Sequence, residues 1–356
     1  MSAEKMETSF HLTVEAIQLL QNALETSFFD AYVETIENFV DQYQVRVIDG
    51  VPDEATATRL ETIYQEIRAM ELSAEEKRKL AQLVLLKGSQ TERLQANHQL
   101  TPDSLGFLFV YLIEQLSSAD QPVKLLDLSV GMGNLLLTVL LNLQLAKRPV
   151  EGTGVDIDET LLAIAAATGE WTKAPLHLFH QDGLQELLIE PMDLAISDLP
   201  VGYYPQDEKA QSFITAAPEG HSYAHHLLME QAMNYVKAGG YGLFLVPSNF
   251  LETEQSEFLK KWLKEKVYLQ GMIQLPEELF KNEHSRKSIL LLQNHGGTSK
   301  QADEVLLVKL ASLKEPKNIT KLLNNLRLGK QQICNIIRIR RSSCQKQSQS
   351  MLEVQV

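Results

Sequence analysis

Cysteine is nearly absent: Cys334 and Cys344 are the two in 356 residues, both near the end and without metal-ligand spacing. That excludes a disulfide framework and a cysteine-based zinc site, and it makes a reducing cytoplasm the expected compartment. Bases are scarce as well, since 33 Lys and Arg face 46 Asp and Glu for a formal charge of −13. Phosphate neutralisation supplies most non-specific affinity for nucleic acid, so a duplex gripped over the bulk of this surface is disfavoured. The imbalance is uneven, with 31 acids and 13 bases in residues 1–200 against 4 acids and 10 bases in residues 301–356. A local basic groove therefore stays open as an expectation. No basic stretch leads into an apolar signal core, and no apolar run reaches membrane-spanning length, so neither secretion nor insertion is expected. A Gly-Lys-Ser/Thr phosphate loop is missing too, which leaves no visible cradle for a nucleotide triphosphate.

What is present suits a folded domain, with 44% hydrophobic and 22% charged residues in a chain long enough for one large domain and a smaller one. Residues 10–95 read as helices, because Leu12, Ile17, Leu20 and Leu24, then Ile36, Phe39, Val40 and Tyr43, then Leu80, Leu83 and Val84 recur at helical spacing. Gly50-Val51-Pro52-Asp53 breaks the pattern, and Ser73-Ala74-Glu75-Glu76 is a capping box before the third set. A helical domain over residues 1–97, serving as a support or docking module, is the expectation. Thr101-Pro102 then opens a further helix, with Thr101 as its cap.

The organising stretch is Asp127-Leu128-Ser129-Val130-Gly131-Met132-Gly133-Asn134-Leu135, which joins an apolar strand (Val123–Leu128) to a Leu-rich helix (Leu135–Leu145) through two glycines. Gly131 and Gly133 permit positive φ and leave no Cβ between the loop and a ligand. The next strand, Val150–Ile157, carries Asp156 where a dinucleotide fold places the acid that binds a ribose diol. A nicotinamide or flavin site wants a third glycine, and Leu136 stands there instead. The ligand is a nucleoside cofactor of another kind.

Further strands follow at Leu176–Phe179, ending on Gln181-Asp182-Gly183, and at Met192–Ile196, running into Ser197-Asp198-Leu199-Pro200-Val201-Gly202-Tyr203-Tyr204. Gly239-Gly240 forms a glycine turn into a fifth strand, and Leu269–Leu275 and Ser288–Leu292 supply two more, the latter preceded by basic Arg286 and Lys287. One additional strand is expected at Val305–Leu310 and a helix near Thr320–Leu328, before a basic Ser/Gln-rich tail containing Arg338, Arg340 and Arg341. His221, His225 and His226 invite a metal, but adjacent residues diverge by about 100° on a helix, so no metal site is expected.

Taken together, the Asp127 strand with Gly131-Met132-Gly133-Asn134, the preceding Thr101-Pro102 and the Ser197–Tyr204 segment resemble the motifs of class I S-adenosylmethionine-dependent methyltransferases. The order is that of the adenine-N6 DNA methyltransferase-like family, and the helical N-terminal domain resembles that of the YtxK-like proteins of Gram-positive bacteria. The resemblance implies an α/β fold: a doubly wound, seven-stranded, mostly parallel Rossmann-like sheet over residues 98–312, with residues 313–356 as a helix and tail. It implies S-adenosyl-L-methionine as cofactor, held by Thr101, Asp127, Gly131, Gly133, Asn134, Asp156 and Asp182, with Asp156 on the ribose and Asp182 on the adenine amino group. Asp198 and the Leu199 carbonyl, followed by Pro200, would orient a planar nitrogen, adenine N6 in nucleic acid. The family pattern is altered here: Leu128, Leu199 and Val201 stand where it has proline, proline and an aromatic ring. Tyr203 or Tyr204 would supply the ring that stacks on the base. No target-recognition domain is recognisable, and a separate specificity partner could supply one. RNA or a protein glutamine amide is the alternative acceptor, and a non-catalytic cofactor-binding scaffold is the other reading.

Overall fold

The computed structural model describes residues 3–92, 100–118, 120–280, 282–310 and 312. The expected boundary after residue 97, the helix near 320–328 and the basic tail lie outside them. Four helices come first: α1 (Ala3–Leu24), α2 (Phe28–Val40), α3 (Glu54–Ala69) and α4 (Ala74–Thr91). The last three begin on side chains that accept an otherwise orphaned amide, namely Ser27 from Asp30, Asp53 from Thr56 and Ser73 from Glu76. Ser73 and Glu76 form the reciprocal box read from the sequence, the Ser73 amide donating to Glu76 Oε2 at 2.8 Å. Leu24 and Leu83, expected on the apolar faces, are exposed instead.

Helix α5 (Asp103–Leu116) leads into β1 (Val123–Asp127), α6 (Asn134–Leu145), β2 (Val150–Asp156), α7 (Glu159–Thr172), β3 (Leu176–His180) and β4 (Met192–Asp198). After the short α8 (Asp207–Ala210) come α9 (Ala224–Asn234), β5 (Val236–Pro247), α10 (Ser256–Glu265), β6 (Val267–Gln274), β7 (Lys287–Asn294) and β8 (Leu306–Lys309). The strands lie in the order β3-β2-β1-β4-β5-β7-β6-β8. Only β7 is antiparallel to its neighbours, β5 and β6. The expected seven-stranded sheet is there, and β8 extends it by pairing parallel to β6, giving eight strands. The glycines read as a turn before β5 lie inside that strand, where the register with β4 shifts after Met192.

Strands β1, β4 and β5 are apolar on both sides, as parallel strands covered by helices must be. Along β4 and β5, Leu194, Ile196, Leu243 and Leu245 point into one cluster with Leu105, Phe109, Leu136 and Leu140 of α5 and α6. Ala195, Phe244 and Val246 point into the other, with Leu227, Met233, Leu259 and Trp262 of α9 and α10. Chain order reverses at β1, whose neighbours are β2 and β4. Ligands of open α/β sheets bind outside the strand carboxyl ends at such a switch point. The loops after β1 and β4 flank it.

The four leading helices share a core with this sheet domain. Ile17, Tyr32, Ile36, Ile63 and Leu80 pack in one cluster with Leu161, Ile164 and Trp171 of α7 and with Met132, the residue between the two loop glycines. The Tyr32 hydroxyl lies 2.7 Å from Thr168 Oγ1, and since that oxygen donates to the Ile164 carbonyl, Tyr32 is the donor. Arg78 is buried and bonds Glu75 within α4, Asp103 of α5 and Thr138 of α6, all between 2.8 and 3.0 Å. Met132 thus anchors the glycine loop into the core of the leading helices. Burying one such side chain contributes about 1.5–3 kcal/mol.

Candidate active site

Strand β1 ends in Asp127 and turns through residues 128–133 into α6. Gly131 (φ 53°) and Gly133 (φ 79°) both occupy the left-handed region. A Cβ on Gly133 would sit 3.1 Å from Ala165 Cβ, so this glycine lets the loop pack on α7. A Cβ on Gly131 would meet nothing within 4 Å, so bare backbone faces open space there. Asp156, at the end of β2, fixes the loop: Oδ2 accepts the Gly131 amide at 2.7 Å and Oδ1 accepts the Asp158 amide at 3.0 Å. Beside it Ile157 is 66% exposed, an apolar side chain left bare at a strand end. Backbone cradle, carboxylate and apolar wall fit a nucleoside with a diol and a flat base.

Asp127 does not face outward. It is buried, and its Oδ1 accepts the Ser197 hydroxyl at 2.7 Å and the Ser129 amide at 3.1 Å. Ser129 in turn donates to Ser197 Oγ at 2.7 Å, which ties the loop after β1 to the end of β4. Burial pushes the Asp127 carboxyl up to about 7 against those two bonds, and the nearby charges of Asp156 and Asp198 push the same way. Because the folded state then holds a proton that the unfolded state releases near pH 4, Asp127 lowers stability progressively as pH rises from about 4 to about 7. The swing is on the order of 4 kcal/mol. Asp127→Asn is expected to flatten it, so the loss in melting temperature between pH 5 and pH 8 should be smaller in the variant than in the wild type. Parallel losses would refute the shift.

Asp198 closes β4 opposite the glycine loop. Its Oδ2 accepts the Thr101 hydroxyl at 2.9 Å, and its Oδ1 is bonded by the Lys287 ammonium from the start of β7. Thr101 is therefore not the cap read from the sequence: α5 starts one residue later, with Pro102 at its N-cap and no side-chain cap. The Thr101 carbonyl accepts from Asn134 Nδ2 at the start of α6. Asn134, Thr101, Asp198 and Lys287 thus form one chain of bonds across the switch point. Leu199 is buried, with its amide on the Leu245 carbonyl at 3.3 Å; Pro200 is half-buried and Val201 exposed.

Asp182 lies two residues past β3. It accepts the Leu184 amide at 2.9 Å and the Tyr204 hydroxyl at 2.6 Å, with Lys209 Nζ 3.5 Å away. Burial raises the Tyr204 hydroxyl, and its bond to Asp182 adds to the shift. Of the two rings expected near the acceptor, Tyr204 is spent on Asp182. Tyr203 is 59% exposed and stacks on Tyr223, ring centroids 5.0 Å apart. The loop that carries them is firmly bonded. Glu230 accepts the Ile214 and Thr215 amides at 3.0 and 2.8 Å, and the Tyr204 amide donates to the Ser222 carbonyl at 2.8 Å.

His225 and His226 do not diverge as helical spacing suggests; their rings meet edge to face at 4.6 Å. Both are buried, and none of their ring nitrogens has a hydrogen-bond partner among the described residues. Burial holds His225 down to about 4, with the Lys287 charge adding, and holds His226 down to about 3, with His225 adding. Among the described residues no group of three or more His, Cys, Asp or Glu gathers to hold a metal.

Two cavities of about 260 Å³ lie away from these residues. One is on the β1–β3 face, at Lys124, His177 and Phe179; the other lies between the leading helices and α7, at Tyr43, Lys77 and Trp171. The cofactor reading rests on the strand-end geometry instead. Sequence reasoning missed Ile157, Ser197, Lys209 and Lys287. Ile157 had a local signal, an apolar residue directly after a strand-ending acid. Lys287 had none, because 89 residues separate it from Asp198.

Residues 84–353 match the family model described as N-6 DNA methylase, and residues 7–89 match the YtxK N-terminal helical domain. The chain belongs to the N-6 DNA methylase family. The uncharacterized protein YtxK of Bacillus subtilis strain 168 is 36% identical to it over 321 residues, 89% of this chain and 95% of that protein. A crystal structure from Listeria monocytogenes, provisionally assigned to the class I S-adenosylmethionine-dependent methyltransferases, superposes with a TM-score of 0.83 at 40% identity, covering 91% of this chain and 98% of its own. The methyltransferase subunit of a Streptococcus thermophilus type I restriction-modification system shares the fold at a TM-score of 0.63 and 16% identity, over 91% of this chain and 74% of that one. Family and fold are those of the S-adenosylmethionine-dependent methyltransferases. As to membranes, no helix of the described residues is long and apolar enough to cross one.

Proposed function

We propose that this N-6 DNA methylase family member is a cytoplasmic enzyme that transfers a methyl group to a planar nitrogen, adenine N6 in nucleic acid. The observation that carries the reading is the bonded chain from Asn134 through Thr101 to Asp198, which joins the glycine loop to a carboxylate across the switch point. S-adenosylmethionine would supply the electrophilic methyl group on its sulfonium. Gly131 and Gly133 would carry its backbone contacts, Asp156 its ribose, and Ile157 and Asp182 its adenine, while Asn134 and Thr101 line the way to the acceptor. Asp127 holds the loop and β4 together from behind.

An exocyclic amine is a poor nucleophile because its lone pair is delocalised into the ring. Asp198 and the Leu199 carbonyl would accept its two hydrogens, orient the nitrogen and stabilise the positive charge that builds on it. Pro200 would fix the turn that aims that carbonyl. Tyr203, on its Tyr223 support, would stack the base in place of the ring absent at Val201, a contact worth about 1–3 kcal/mol. A base within a duplex would have to be flipped out. The acidic charge balance favours a separate partner that brings the target sequence.

Incubating the protein with methyl-labelled S-adenosylmethionine and fractionated DNA, RNA and protein tests the reading. Label is expected in DNA, on adenine. Label in RNA or in protein glutamine would move the acceptor, and cofactor binding with no label anywhere would leave a scaffold.

A further inference from the structure

Each oxygen of Asp198 already has a partner, Thr101 on one and Lys287 on the other. If Asp198 orients the methyl acceptor, as the reading above holds, the Lys287 contact works against it. An amine gains positive charge as it is methylated, and a resident ammonium on the same carboxylate both cancels the attraction and repels the acceptor. Lys287 is not held there by a wider network: among the described residues Asp198 is the one carboxylate it pairs with, whereas neighbouring Arg286 is taken by Glu277 and Glu283. Its side chain is 26% exposed, so the ammonium is partly open to solvent. His225, on which the Lys287 charge acts, is buried and uncharged, and offers no competing negative charge.

We propose that Lys287 is a specificity-determining residue: it keeps Asp198 neutralised until a phosphate of the acceptor nucleic acid draws its ammonium away and frees one carboxylate oxygen for the acceptor nitrogen. The site then selects acceptors that carry negative charge beside the reacting base. A free nucleoside, which has the nitrogen but no phosphate, leaves the latch closed. This accounts for a lysine in a place where methyl transfer to an amine has no use for a cation.

Asp156 and Asp198 both lie close enough to Asp127 for their charges to act on it, and Lys287 is bonded to Asp198, so the charge on Lys287 would also act on a cofactor held between Asp156 and Asp198. S-adenosylmethionine and S-adenosylhomocysteine differ by a methyl group and one positive charge, and their affinity ratio therefore reports the local field without any turnover. In calorimetric titrations, Lys287→Met should shift that ratio toward S-adenosylmethionine by about tenfold, and Lys287→Arg should leave it at the wild-type value. An oligodeoxyadenylate added to the wild type should shift the ratio the same way, with no further shift in Lys287→Met. An unchanged ratio in Lys287→Met overturns the proposal, and so does an equal shift in Lys287→Arg, which would make the effect one of packing. Absence of cofactor binding in the wild type would instead remove the reading of the site on which the proposal rests. Thermal melts of both variants confirm that folded protein is being compared.

Discussion

Asp156→Ala is expected to weaken S-adenosylmethionine binding by a factor of about 100 or more in a calorimetric titration. Two effects add. The carboxylate would lose its bonds to the ribose hydroxyls, each worth about 1.5–3 kcal/mol because the acceptor is charged. It would also release the Gly131 amide, held at 2.7 Å, and with it the conformation of the loop on which the cofactor rests. Asp156→Asn separates the two, since an amide oxygen can still accept from Gly131 while the charge is gone. An intermediate affinity is expected for it. S-adenosylhomocysteine should follow the same order, because the ribose is common to both. Wild-type affinity in the Ala variant would place the ribose elsewhere, and a wild type that binds neither compound would sink the cofactor assignment.

How much of this is legible in the sequence depends on how local each determinant is. Strand ends are local: Asp127, Asp156 and Asp198 each terminate an apolar run, and in the structure each is the last residue of its strand. The glycine loop is local too, because a positive φ leaves its mark on the residue type itself. Partners are not local. Thr101 reads as a helix cap, since a threonine before a proline has that signature, yet its hydroxyl goes to a carboxylate 97 residues away. Tyr204 and Tyr203 are neighbours that the sequence cannot separate, and the chain sends one inward to Asp182 and the other outward onto Tyr223. The leading helices read as a distinct module because nothing in their periodicity says what their apolar faces cover. Met132 and Trp171 show that part of that surface is the back of the cofactor loop and its helix.

Asp198 carries the other large effect. Asp198→Ala should lower label transfer to nucleic acid by about 100- to 1000-fold, the range seen when one preorganised group is taken from a transition state. A second effect distinguishes this carboxylate from an ordinary binding residue. Removing it leaves the Lys287 ammonium, only 26% exposed, without its counter-charge in the same site. A cationic cofactor then meets net repulsion, so S-adenosylmethionine affinity should fall by about tenfold while S-adenosylhomocysteine affinity stays near wild type. The double variant Asp198→Ala/Lys287→Met removes both charges at once. It should recover cofactor affinity and not transfer, because the field is neutral again but the acceptor amine has lost one of its two hydrogen-bond acceptors. Transfer restored along with affinity would mean that Asp198 serves only to silence Lys287, and that the acceptor is oriented by the Leu199 carbonyl alone.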